Sequence, residues 1–174
     1  MVQIEYLPIV LTGIGIIVSI LYYTSVLRNA NTTRQAQLFM QLFQEMNTER
    51  FWETWIDLLA ADIPDYQTYL EKYDSTVNRE HFAKRTQMWY HFNAIGDLVK
   101  KGTLSLETVE PIVGTAGFTL WIKWGEIIKQ IRIDYGMPRT YDGFEYLYNS
   151  LEKYYELHPE LKVLDTEVFT QADL

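Results

Sequence analysis

The sequence predicts an all-α fold in which one N-terminal transmembrane helix is followed by a helical domain of about five or six helices. The first observation behind this prediction is an uncharged stretch of 22 residues from Tyr6 to Leu27. The second is that apolar residues beyond this stretch recur at helical spacing, between residues that typically begin or end helices. The third is that no alternation of polar and apolar residues is long enough to indicate a sheet.

The uncharged stretch has the length and composition of a membrane span. At ~1.5 Å per residue its helix covers roughly 33 Å, and a hydrocarbon core is about 30 Å thick. A lone apolar segment in lipid must satisfy its own backbone hydrogen bonds, so it is expected to be helical. Tyrosines at both edges are typical of the membrane interface. The residues predicted to form the anchor are Leu7, Ile9, Val10, Leu11, Ile14, Ile17, Ile20, Leu21, Tyr22 and Tyr23.

Two alternatives to a membrane span, a signal peptide and a buried core helix, fit this stretch less well. A signal peptide has a basic leading region and a small-residue cleavage site, whereas residues 1–6 contain no Lys or Arg and no Ala-x-Ala motif follows. A buried helix that is apolar on all sides needs a large core around it. Gly15 and Ser19 form a small-xxx-small pair, which predicts a helix–helix contact within the membrane.

The charges that flank the stretch predict its orientation. Arg28 and Arg34 follow it, and Glu5 is the one charged residue before it. Cytoplasmic flanks of membrane helices are enriched in Lys and Arg. We therefore expect a single-pass protein of the cell membrane, with the N-terminus outside and the remaining chain in the cytoplasm.

Composition excludes several classes of function. The net charge is −8 and the chain has no polybasic run, which argues against binding of nucleic acid. The chain has no Cys, which excludes disulfides, thiol nucleophiles and cysteine-ligated metals. The 15% of aromatic residues provides enough apolar surface for a folded core.

Capping and stop signals predict the order of the helices. The chain is expected to comprise an anchor over 1–28, a helical cytoplasmic domain over 29–159 and an acidic tail over 160–174. Apolar spacing indicates that the first helix continues into an amphipathic segment. The remaining signals are a start at Asn47-Thr48, a stop at Asp62-Ile63-Pro64, a short helix over 65–73, Asn78 capping 79–101, Ser105 capping a helix that ends at Gly114, a helix over 115–135, and Asp142 capping a last helix.

No catalytic, cofactor-binding or metal-binding constellation is recognised in the sequence. His81 and His91 are ten residues apart on one predicted helix, about 15 Å of rise, so they are too far apart to share a metal ion. His91 lies among aromatic residues, which favours a core or interface position. The chain contains no Gly-x-Ser-x-Gly turn.

The region from Phe92 to Leu147 resembles the domain of unknown function 4760 family. The resemblance is carried by residues 92–102 (FNAIGDLVKKG), by a following helix with tryptophans, by Gly136-Met137-Pro138 and by Phe144-Glu145-Tyr146-Leu147. It covers the last third to half of the chain, and the segment 28–75 departs most from the family. The resemblance implies an all-helical, membrane-anchored protein. It implies no activity, so no functional residue is transferred from it.

The function expected from these features is that of a non-enzymatic interaction protein, as an accessory or scaffold subunit of a larger membrane assembly. Its partners would be the lipid bilayer and other membrane-protein subunits. A self-assembling homo-oligomer is the alternative, with a small ligand sensor or enzyme using a pocket near His91 and Trp89 as a further one.

Overall fold

The computed structural model describes residues 6–161 and confirms the all-α fold. Over these residues it contains six helices and no strand. The helices are α1 (Leu7–Met46), α2 (Glu49–Ala60), α3 (Tyr66–Tyr73), α4 (Arg79–Lys100), α5 (Leu106–Asp134) and α6 (Asp142–Leu157). Nearly all of the predicted acidic tail, residues 162–174, lies outside the described part.

The chain divides into two compact units, with the boundary between Gln41 and Leu42. In the described part of the first unit, α1 runs unbroken from Leu7 past residue 28. Residue 28 thus ends the uncharged stretch but not the helix. The second unit begins in the last turns of α1 and includes α2 to α6.

The predicted starts of α2, α4 and α5 are confirmed by their caps. The side chains of Thr48, Asn78 and Ser105 each accept a hydrogen bond from the backbone N–H three residues later. Such caps satisfy amides that have no partner within the helix. Gly102, which follows α4, has φ +67°, the left-handed conformation that glycine adopts at low cost.

The core of the second unit forms where α6 packs against both α4 and α5. The ring of Phe144 stacks on Phe92 with centroids 5.3 Å apart and meets Trp121 edge-on at 4.9 Å. Two indole N–H groups connect α2 to α5, since Trp55 donates to the Ala116 carbonyl and Trp124 to the Leu58 carbonyl. Buried polar groups paired in this way fix the relative position of the helices. The largest fully buried side chains include Trp89, Trp124, Phe92, Phe144, Leu58, Ile95, Leu120, Ile128, Leu147 and Leu151.

The predicted break at Gly114 is wrong, because residues 106–134 form one continuous helix. The residue is a glycine for a different reason: a Cβ there would clash with the Tyr155 hydroxyl of α6. Tyr155 also donates a hydrogen bond of 3.1 Å to Glu110. Glycine at this position therefore serves helix packing.

The prediction that Asp142 caps α6 is also wrong. The N-cap residue is Tyr141, which has φ 57° and makes no side-chain cap. The cap comes from α4, where the side-chain oxygen of Asn93 accepts hydrogen bonds from the amides of Gly143 (2.9 Å) and Phe144 (3.3 Å). Asp142 is the first helical residue, and its carboxylate lies 3.5 Å from the Lys100 ammonium.

We expect the Asn93→Ala substitution to lower the free energy of unfolding by about 1–2 kcal/mol, because it leaves two amides at the start of α6 without an acceptor. Chemical denaturation of the full chain in detergent measures this. Asn149→Ala, at an exposed position on α6, is the matched control and should change stability by less than about 0.5 kcal/mol. Equal effects of the two substitutions would contradict the capping role of Asn93.

Candidate functional site

The apolar segment of α1 is exposed along its whole length. All ten residues predicted to form the anchor have more than half of their surface accessible. The most apolar window of α1 has a mean hydropathy of 2.0, and none of it is buried by other described residues. The helix is therefore long and apolar enough to cross a membrane, a property that signal sequences share.

Three hydroxyl groups within this segment are satisfied by the helix itself. Thr12, Ser19 and Thr24 each donate a hydrogen bond of 2.8 Å to the carbonyl four residues earlier. Such bonds remove the need for water, which is absent from the hydrocarbon core. The bond from Ser19 ends on the carbonyl of Gly15, so the structure brings the predicted pair together along one face. A Cβ at Gly15 would meet no atom within 4 Å. A contact of this face with a second helix stays a prediction.

An arginine is buried in the second unit among aromatic rings. Arg85 is 2% exposed, and its guanidinium carbon lies 4.8 Å from the ring centroids of Tyr69 and Phe82 and 5.1 Å from that of Trp89. Burial lowers the pKa of Arg85. Cation–π contacts offset part of the cost of desolvating the charge. Arg85 was not singled out from sequence, although its spacing from Phe82, Trp89 and Phe92 places it on the apolar face of the helix.

His81 is a packing residue beside this arginine. Its ring lies 4.4 Å from that of Tyr73 and 5.5 Å from that of Trp124. Neither ring nitrogen has a hydrogen-bond partner among the described residues. Burial, together with the nearby charges of Arg85 and Lys84, lowers the pKa of His81 to about 4, against a smaller opposing effect of Asp57. The ring is therefore neutral at physiological pH.

His91 lines a cleft between the end of α1, α2 and α4. The cleft has a volume of about 170 Å³, and its lining residues are Glu45, Thr48, Arg50, Phe51, Thr54, Gln87, Met88 and His91. The Nδ1 atom of His91 lies 3.3 Å from a carboxylate oxygen of Glu45. The His91 side chain is 7% exposed, and its Nε2 atom is buried without a hydrogen-bond partner among the described residues. Burial lowers the pKa of His91, although Glu45 opposes the effect.

The sequence analysis named a pocket near His91 and Trp89 as part of a further alternative, and the structure places a cleft beside His91. Trp89 is 1% exposed and packs edge-on against Trp124 in the core. Glu45 was not expected from sequence, because it joins His91 across 46 positions of the chain. Among the described residues, no group of three or more His, Asp or Glu side chains is placed to hold a metal ion.

The chain matches a known protein family. A family model described as "Domain of unknown function (DUF4760)" matches residues 9–151. The match is wider than the last third to half of the chain that the quoted motif indicated, and it includes residues 28–75. No curated protein and no solved structure matches the chain.

We expect stability to fall as the pH is lowered from about 6.5 to about 4, because the pKa of His81 is depressed from 6.5 to about 4 in the folded state. Above this pH range the His81 ring is neutral in both the folded and the unfolded state, and its contribution to the free energy of unfolding is at its maximum. Within it the unfolded chain takes up the proton first. His91 contributes in the same direction, since burial also lowers its pKa.

The variant His81→Phe keeps a ring in place but does not titrate. Denaturation of the full chain in detergent between pH 7.5 and 4 should therefore show a shallower loss of stability in this variant than in the unmodified protein. An unchanged slope would mean that His81 is not a buried neutral ring.

Proposed function

We propose that this chain, which belongs to the Domain of unknown function (DUF4760) family, is a membrane-anchored, non-enzymatic interaction protein. In this proposal α1 holds the chain in the bilayer, and the second unit serves as an accessory or scaffold subunit of a larger membrane assembly. The observation that carries the proposal is the apolar part of α1, which no other described residue covers.

The exposed apolar area of α1 supports the membrane part of the proposal. Soluble monomers rarely expose a continuous apolar surface of this extent. Burial of apolar side chains stabilises by about 25 cal/mol per Å², so water is the least favourable surrounding for this helix. The internal hydrogen bonds of its hydroxyl groups suit a medium without water.

The surface of the second unit supports the interaction part. Its core is closed by its own helices, yet several large apolar side chains remain outside, which are Trp52, Ile56, Ile122, Ile133 and Tyr135. Aromatic residues are enriched where proteins bind each other. The net charge of −8 favours a basic partner over an anionic lipid surface.

The proposed orientation of the chain in the membrane rests on the two arginines that follow the apolar segment. Arg28 and Arg34 lie on α1 after the apolar segment. By the positive-inside rule the second unit lies in the cytoplasm and the N-terminus outside, with the protein in the cell membrane.

A homo-oligomer is the second candidate. It is favoured by the open surface at Gly15, where the absence of a side chain lets another helix approach closely. In this alternative the partner of α1 is a second copy of the chain.

Labelling of single cysteines tests the membrane position and the orientation together. The chain contains no Cys, so an introduced one is the only reactive thiol. In sealed, right-side-out vesicles we expect Gln3→Cys to react with a membrane-impermeant maleimide, whereas Lys153→Cys, an exposed position on α6, should react only after the vesicles are opened. Labelling of Lys153→Cys in intact vesicles would contradict the orientation.

Purification in mild detergent tests the accessory role. We expect the native protein to elute with at least one other chain, at a mass above that of the 20.6 kDa protomer and its micelle. A homogeneous oligomer of this chain alone, which Gly15→Leu dissociates, would favour the second candidate. A lone monomer would contradict both.

A further inference from the structure

The outward side of α2 carries a row of apolar residues. Trp52, Ile56 and Ala60 follow one another at intervals of four residues, so they lie on successive turns along one side of the helix. All three are exposed, with 41% of the Trp52 surface and 48% of the Ile56 surface accessible. This outer row of α2 is apolar surface that the described residues leave partly uncovered.

The largest side chain of the outer row is already fixed in position. The ring of Trp52 meets the ring of Phe51 edge-on at 5.4 Å and that of Trp55 at 5.5 Å. Phe51 and Trp55 are themselves buried. A partner that packs on Trp52 therefore has little side-chain entropy to overcome, and ordered tryptophans of this kind contribute strongly to protein interfaces.

A row of acidic residues runs beside the outer row. Glu49, Glu53 and Asp57 are also spaced four residues apart, on the neighbouring side of α2. Asp57 pairs with Lys84 at 2.8 Å, whereas among the described residues Glu49 and Glu53 have no hydrogen-bond or ion-pair partner. Arg50, the one basic residue of α2, lines the cleft between the end of α1, α2 and α4. The outer row is thus bordered by two unpaired negative charges.

These charges discriminate between the possible occupants of the outer row. A second copy packed symmetrically on the same face would bring the two acidic rows together, and like charges across an interface oppose binding. An anionic lipid surface is repelled in the same way. The C-terminal segment 162–174 has three acidic residues and one lysine, so it carries the same sign of charge. A basic partner is attracted.

We propose that the outer row of α2 docks a basic amphipathic helix that belongs to another membrane subunit. Apolar side chains of that helix, spaced three and four residues apart, pack on Trp52 and Ile56, and its Lys or Arg side chains pair with Glu49 and Glu53. The inference rests on the accessory role and the cytoplasmic orientation proposed above, because the cytoplasmic flanks of membrane helices are enriched in Lys and Arg.

Photo-cross-linking of the full chain in its native membrane tests this surface. Benzoylphenylalanine in place of Ile56 attaches to whatever its ring touches, and mass spectrometry of the product identifies the attached segment. We expect one segment of another protein, in which Lys and Arg outnumber Asp and Glu and apolar residues recur at helical spacing. Benzoylphenylalanine in place of Ala60, one turn further along, should attach to the same segment. In place of Ile133, which is 72% exposed on α5, it should not.

A charge reversal tests the contribution of the acidic row. Glu49→Lys combined with Glu53→Lys should lower the cross-linking yield at residue 56 about tenfold, because two attractive contacts become repulsive. The matched control is Glu152→Lys combined with Glu156→Lys, two exposed positions with the same spacing on α6. It makes the same change in net charge and should leave the yield unchanged.

The inference is overturned if residues 56 and 60 give no product, or if they attach to a second copy of this chain, to lipid or to an acidic segment. Equal yields from the two double reversals would also overturn it. None of these results removes the accessory role, which fails if the protein purified in mild detergent is a lone monomer. The failure of the docking surface and the failure of the proposed function are therefore distinguishable.

Discussion

The main physical constraint on this protein is that the apolar part of α1 must be removed from water, and no other described residue covers it. Every residue predicted to form the anchor is exposed, and the hydroxyl groups between them are paired within the helix. A chain that leaves such a helix bare needs lipid or another protein around it. This requirement is the reason for proposing a membrane anchor and partners for it there.

The second unit, in contrast, covers its apolar core with its own helices. The N-terminus of its central helix α6 is capped by the side chain of Asn93 from α4. The ring of Phe144 in α6 stacks on the ring of Phe92 in α4. The indole N–H groups of Trp55 and Trp124 donate hydrogen bonds to backbone carbonyls, and these bonds join α2 to α5. Among the described residues, the buried side-chain atoms without a hydrogen-bond partner include Nε of Arg85, Nε1 of Trp89 and Nε2 of His91.

Local signals in the sequence predicted most of the fold, since caps such as Thr48 and Asn78 act within three residues. They failed where the cause lies far along the chain. Gly114 resembles a helix stop but makes room for Tyr155, and the cap of α6 comes from Asn93, fifty residues before Gly143. For the same reason His91 could be picked out from its aromatic neighbours, whereas Glu45, whose carboxylate lies 3.3 Å from its Nδ1 atom, could not.

The most direct test of the central claim is to measure the surroundings of α1 in vesicles. Spin labels placed one at a time along residues 7–27 report collisions with oxygen, which concentrates in lipid, and with a water-soluble nickel complex. The account predicts high oxygen and low nickel accessibility that peak near Ile17 and reverse beyond Arg28. High nickel accessibility throughout, or low accessibility to both reagents at every position, would place α1 in water or inside protein and would contradict the membrane anchor.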